Sequence, residues 1–307
     1  MNDAVTNCRV GFIGMGFMGH GMAANLLKSG YGLTVMAHHK RQAVEDLILR
    51  GAVEASSPAE VATASDIVFL CVSGAEQVRA LLVSENGIAT SARPGTIIVD
   101  CTTSPPKTLL ALQQEYPQLI FVDAPLGRSP REAWEGKLSI MVGADETTFQ
   151  SLLPALRSFA STIQHVGPLG SGHTLKLVNN FVSLGYAAIY SEAITLSVKA
   201  GLSVQDFNTL ISSSRMDCEF FRTFMGWTIY GDATTHNFSL ANANHSVRDI
   251  AALSNELGLG SNLIESISAI YARAINNEMG AANLPELPRS TAATAGIVLS
   301  PVKDKEN

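Results

Sequence analysis

Along the first half of the chain, short apolar runs recur at near-regular intervals: RVGFIG, LTVMAH, DIVFLCV, GTIIVDC, LIFVDAP, LSIMVG and STIQHVG. Between most of them lie stretches in which apolar residues return at helical spacing, such as MGHGMAANLLKSG and AVEDLILRG. Runs that are apolar without alternation belong to strands covered on both faces. The pattern therefore predicts a mostly parallel, doubly wound α/β sheet. The glycine of KSG stands where the first helix should end.

After about residue 167 the strand signals stop. GPLGSGH forms a glycine-rich joint. Beyond it come a long helical segment at 174–199 and helical periodicity near 204–212, 218–229, 238–257 and 261–278. The predicted division is a sheet domain over residues 1–167 and an all-helical domain over 168–307, joined by a long helix. The closing stretch PELPRSTAATAGIVLSPVKDKEN is poorly patterned.

Composition narrows the function classes. With 307 residues, 46% of them hydrophobic and 16% charged, the chain can bury a large core. A formal charge of −6 gives no global basic field, so no nucleic-acid partner is expected. Cys8, Cys71, Cys101 and Cys218 form no C-x-x-C pair, which fits a reducing, cytoplasmic setting. The opening MNDAVTNCRVGFIG has no secretory pattern. Residues 177–198 carry one charge, Glu192, yet Asn179, Asn180, Ser183, Ser191 and Ser197 argue for a helix buried in protein rather than in a membrane.

The first candidate chemistry is Gly14-x-Gly16-x-x-Gly19, between the first strand and the first helix, with Met15, Phe17 and Met18 between the glycines. Such a loop turns tightly, lets a pyrophosphate approach the backbone, and aims a helix N-terminus at it. The end of the second strand normally selects the cofactor. An acid there would grip the ribose of NAD, but the sequence instead has the basic run His38, His39, Lys40 and Arg41. That favours NADP, with NAD as the alternative, because charge-assisted bonds to phosphate are the stronger kind.

The second is GSGHTLKLVNNF. On a helix, His173, Lys176 and Asn180 share one face. Lys176 sits between Leu175 and Leu177 at the mouth of a nearly uncharged helix. A partly desolvated lysine there has a lowered pKa and can exchange protons near neutrality, as hydride transfer to or from a carbinol requires.

Together, GFIGMGFMGHGMAANLLKSG, FVDAPL…EGKLSIMVG and GSGHTLKLVNNF resemble the β-hydroxyacid dehydrogenase family over roughly residues 8 to 280. The resemblance implies a Rossmann domain, a long interdomain helix and a helical C-terminal domain. It implies interconversion of a small 3-hydroxy acid and its semialdehyde with NAD(P), without metal, in a homodimer or homotetramer. By position, Lys176 matches the family's catalytic lysine and Asn180 its substrate-binding asparagine. Ser104, in DCTTSP, matches a loop residue that contacts cofactor and substrate. Arg248, followed by Asp249, matches a lysine that reaches cofactor or substrate, here replaced by arginine. Imine reductases look similar in fold, but usually carry aspartate or tyrosine where Lys176 stands. A silent NADP-binding module is the third reading, against which the lysine and asparagine count.

One departure falls in the expected substrate loop. After DAP and an apolar residue, the family pattern has serine-glycine-glycine; this chain has Gly127, Arg128 and Ser129. SPRE reads as a capping box, with Ser129 as N-cap, so Arg128 immediately precedes a helix N-terminus. A guanidinium there could hold a carboxylate bidentately, which makes Arg128, with Ser129, the candidate anion clamp for a small acidic hydroxy acid or aldehyde.

Overall fold

The computed structural model describes residues 8–37 and 41–302. They form two compact units that divide after Lys176.

The first unit is built on one sheet of nine strands: β1 (Arg9–Ile13), β2 (Gly32–Met36), β3 (Val53–Ala55), β4 (Ile67–Leu70), β5 (Ile97–Asp100), β6 (Ile120–Asp123), β7 (Leu126–Gly127), β8 (Leu138–Gly143) and β9 (Ala160–Gly167). Their order is β3-β2-β1-β4-β5-β6-β8-β7, with β9 also paired to β8. From β3 to β6 every pairing is parallel; β8 runs antiparallel to β6 and β7. The chain moves outward from β1 to β3 and then returns to place β4 on the other side of β1. α1 (Gly19–Lys28) follows β1 and α4 (Ala75–Val83) follows β4, so the strand order reverses at β1, the kind of switch point over whose carboxyl ends open α/β sheets bind their ligands.

Alternation within each strand explains why the apolar runs are unbroken. In β4, Ile67 and Phe69 join one core with Val10, Phe12 and Val99, while Val68 and Leu70 join the opposite one with Ile13 and Ile98. Each such side chain, fully removed from water, contributes about 1.5–3 kcal/mol. The covering helices are α1, α2 (Gln42–Leu49), α3 (Pro58–Thr63), α4, α5 (Ile88–Ser91), α6 (Pro106–Glu115), α7 (Pro130–Glu135) and α8 (Glu146–Leu156).

Long α9 (Ser171–Lys199) is followed by α10 (Val204–Ser212), α11 (Glu219–Phe224), α12 (Gly226–Tyr230), α13 (Leu240–Glu256), α14 (Asn262–Asn276) and α15 (Leu287–Thr294). Ser203, Ser239 and Ser261 each stand before a helix and accept a first-turn backbone N–H, which sets where α10, α13 and α14 begin. Leu184, Ile194, Phe221, Phe224, Leu240 and Tyr271 lie in one buried cluster, and the Tyr271 hydroxyl donates to the Leu184 carbonyl at 3.0 Å.

Several expectations are corrected. The strands β3 and β7, of three and two residues, are too short to leave a pattern. The single helix expected at 218–229 is broken at Met225, and a Cβ at Gly226 would run into the Thr235 side chain. The poorly patterned tail contains α15, held by buried Leu284 and Leu287. α9 is not buried all round: Val178, Val182, Tyr186, Ile189 and Leu196 form an exposed apolar edge. That helix is long and apolar enough to cross a membrane by length and composition, with a third of its most apolar window buried. The compact units divide inside α9, after Lys176, since the first turns of α9 are tied to the sheet.

Candidate active site

The glycine loop is tight where packing demands it and open where a ligand would lie. Gly14 has φ +108, and a Cβ there would strike the Cys71 carbonyl; one at Gly19 would strike the Gly14 carbonyl. A Cβ at Gly16 would meet nothing within 4 Å. Met15 and Met18 pack against the core, while Phe17 projects with 77% of its surface exposed. The loop leads into the positive end of α1, so its residues fit a pyrophosphate.

Past β2, His38, His39 and Lys40 lie outside the described residues. Arg41 is half-exposed at the start of α2. Its guanidinium lies 3.1 Å from Glu54 and 3.5 Å from Glu45. Two carboxylates thus oppose the positive charge on which a 2′-phosphate would draw.

Two aspartates finish adjacent strands, Asp100 on β5 and Asp123 on β6, and both are fully buried. Asp123 binds the start of α9, accepting the N–H of Gly170 at 2.7 Å and of His173 at 2.6 Å. Asp100 accepts the Thr102 N–H at 2.8 Å, and burial pushes its carboxyl up to about 7. The buried His173 ring is pushed down to about 4, also by burial. Ser104 follows on the same loop. Its fully buried Oγ faces Asp100 without completing a hydrogen bond to any described group. A buried hydroxyl left this way is costly unless a ligand answers it.

Lys176 lies one turn after His173 on α9, and removal from water lowers its ammonium to about 8. That shift comes from desolvation, with no contribution from a neighbouring acid among the described residues. Asn180 is buried one turn further on, with its amide nitrogen 3.4 Å from the Ser246 hydroxyl of α13. Arg248 is exposed on α13, and the Asp249 carboxylate lies 3.8 Å from His245.

The Arg128 loop folds largely as its residues imply. Ser129 and Glu132 form the capping box, the Ser129 N–H donating to Glu132 at 3.1 Å and its hydroxyl donating to the same carboxylate. Arg128 is exposed, with φ +76, a left-handed conformation that glycine accepts freely. Its Nη1 donates to the Lys137 carbonyl at 2.8 Å. One expectation is corrected: α7 has only six residues, too few aligned peptide dipoles to make its N-terminus an anion site by itself. Ser129 uses its hydroxyl as a cap.

The first unit thus gathers the glycine loop, Ser104 and the opening of α9 at the carboxyl edge of the sheet. Asn180 and Arg248 belong to the second unit. Asp100, Thr102 and Asp123 were absent from the residues expected at the site. The available signal was an acid closing each of two buried apolar strands, IIVD and IFVD.

Residues 9–167 match the family model of the NAD binding domain of 6-phosphogluconate dehydrogenase. Residues 170–287 match that described as NAD-binding of NADP-dependent 3-hydroxyisobutyrate dehydrogenase. The chain is 35% identical over 209 residues to 2-(hydroxymethyl)glutarate dehydrogenase of Eubacterium barkeri, covering 67% of this chain and 69% of that one. It is 36% identical over 196 residues to 2-hydroxy-3-oxopropionate reductase of Escherichia coli (strain K12), covering 63% and 66%. In fold it is similar to Mycobacterium tuberculosis 3-hydroxyisobutyrate dehydrogenase with L-serine, with a TM-score of 0.80 at 24% identity over 92% of this chain and 98% of that one.

Proposed function

The chain belongs to the β-hydroxyacid dehydrogenase family, NAD(P)-dependent oxidoreductases of hydroxy acids and their semialdehydes, and from that premise we propose how its own residues divide the work. A nicotinamide held at the site would supply the hydride chemistry in both directions. Gly14, Gly16 and Gly19 would hold the pyrophosphate, with Met15, Phe17 and Met18 shaping the loop. Lys176 donates a proton to the carbonyl oxygen in reduction and, as the free amine, takes the hydroxyl proton in oxidation. Ser104 and Asn180 orient the substrate. The observation that carries this reading is the place of Lys176, partly buried one turn beyond a helix start anchored to the sheet edge, where desolvation lowers its ammonium to about 8.

The substrate class is proposed to be small acidic aldehydes and hydroxy acids, with Arg128 meeting the anion. A guanidinium carries five N–H donors, and the Lys137 carbonyl takes one. A left-handed arginine is strained by about 1–2 kcal/mol, and strain of this kind clusters at binding sites. NADP is proposed as the preferred cofactor, supported by the run from His38 to Arg41. Arg248 would add a contact to cofactor or substrate. A homodimer or homotetramer is proposed from the exposed apolar edge of α9.

The test is oxidation of NADPH and of NADH against glyoxylate, succinic semialdehyde, methylmalonate semialdehyde, neutral aldehydes of matched size and one cyclic imine. It is run on wild type and Arg128→Gly, glycine being the residue that suits φ +76. Acidic aldehydes should dominate with NADPH, and the variant should lose them by about 10–100-fold in kcat/KM while melting at the same temperature or slightly higher. Equal turnover of neutral aldehydes, or an unchanged variant, would remove Arg128 from substrate selection. Preferential turnover of the imine would remove the hydroxy-acid assignment.

A further inference from the structure

Lys176 is placed by the helix that carries it. Its helix begins with two separate ties to the sheet edge. One is the Asp123 carboxylate on the backbone of Gly170 and His173. The other is the His173 side chain, which is wholly buried and has Nε2 3.0 Å from the Thr102 carbonyl. A carbonyl only accepts, so Nε2 carries the proton and donates it. Nδ1 is buried with no described partner, and the nearest carboxylate oxygen, on Asp100, lies 3.7 Å from Nε2.

Thr102 is itself held from two sides. Its N–H donates to Asp100 at 2.8 Å, and its hydroxyl accepts the Val72 N–H, beyond β4, at 3.2 Å. Two residues on comes Ser104. The histidine therefore joins the loops that end β4 and β5 to the turn of α9 that precedes Lys176. A core leucine would fill the same space with no polar group to satisfy. Burying an imidazole instead costs desolvation, which only a specific hydrogen bond offsets.

We propose that His173 is a positioning residue, whose donated hydrogen bond to Thr102 sets the distance between the Lys176 amine and the Ser104 hydroxyl. The proposal rests on the reading of Lys176 as the acid–base group. It assigns no proton transfer to His173.

The experiment compares His173→Gln, His173→Leu and His173→Asn, with Lys176→Ala alongside, in steady-state reduction of the best aldehyde. NADPH affinity is measured separately by fluorescence of the bound cofactor. Glutamine keeps an N–H donor at about the reach of Nε2. Leucine fills the space without a donor, and asparagine carries one that stops short. Misplacing a catalytic group by about 1 Å can lower turnover about 100-fold. His173→Leu and His173→Asn should therefore lose about 10–100-fold in kcat, with KM and NADPH affinity within about 3-fold of wild type. His173→Gln should stay within about 3-fold throughout. If His173→Leu does not fold, the contrast between glutamine and asparagine decides. Equal kcat in all three variants, or losses shared equally by kcat, KM and cofactor affinity, would overturn the positioning role. Near-normal turnover by Lys176→Ala would instead overturn the acid–base reading. Loss in that variant with none in His173→Asn or His173→Leu would overturn the positioning role alone.

Discussion

At Lys176, burial does what a catalytic partner does in many other sites: it brings an amine into the range where both protonation states are populated near neutral pH. The sign follows for each direction. Reduction needs the ammonium, so its rate should be highest below about 8 and fall as pH rises through it. Oxidation needs the free amine and should rise over the same range. Asp100 ionises near 7 on its own account, so the limb must be assigned. In Lys176→Arg, whose side chain stays charged, the limb near 8 should disappear from whatever rate remains; its persistence would assign it elsewhere. Stability carries the same signature. An unfolded lysine keeps its ordinary pKa of about 10.4. The destabilisation is therefore full below 8 and fades as pH rises towards that value. The desolvation of Lys176 was legible because it is a charge at the mouth of an apolar helix. Asp100 and Asp123 were not, because their partners are backbone groups of loops and of a segment about 50 residues away, which no local pattern announces.

Among the elements, α9 departs furthest from its reading. Its mean character was read correctly as apolar, and its full burial was not. Val178, Val182, Tyr186, Ile189 and Leu196 fall within one narrow arc of the helix, so the exposed residues form a continuous edge rather than scattered points. A composition count cannot separate an all-round core helix from one whose last face awaits a partner. If that edge joins copies of the chain, Val182→Glu should lower the mass measured by light scattering from a multiple of 32.5 kDa towards that value. A wild type that is already a single chain would withdraw the oligomer proposal. The elements that escaped the pattern altogether are β3 and β7, each too short to complete a period. Pairing with longer neighbours forms them: β7 pairs Leu126 with Ile140 and Gly127 with Ser139, and Arg128 follows it with a left-handed backbone.

Over the whole molecule, the parallel, doubly wound character of the sheet from β1 to β6 could be read in advance, because it follows from the alternation of strand and helix, while the strand order itself is a finding of the structure. The antiparallel β8 could not, since its run looks like every other buried strand. Its reversal matters. It brings Gly143 beside Asp123, and β9 then delivers α9 to the same edge as Ser104. The central claim is that one desolvated amine on that helix exchanges the substrate proton, and its direct test is Lys176→Ala with a semialdehyde that wild type reduces. The prediction is a kcat lower by about 10²–10⁴, with NADPH bound as tightly as by wild type. Turnover close to wild type would contradict the account.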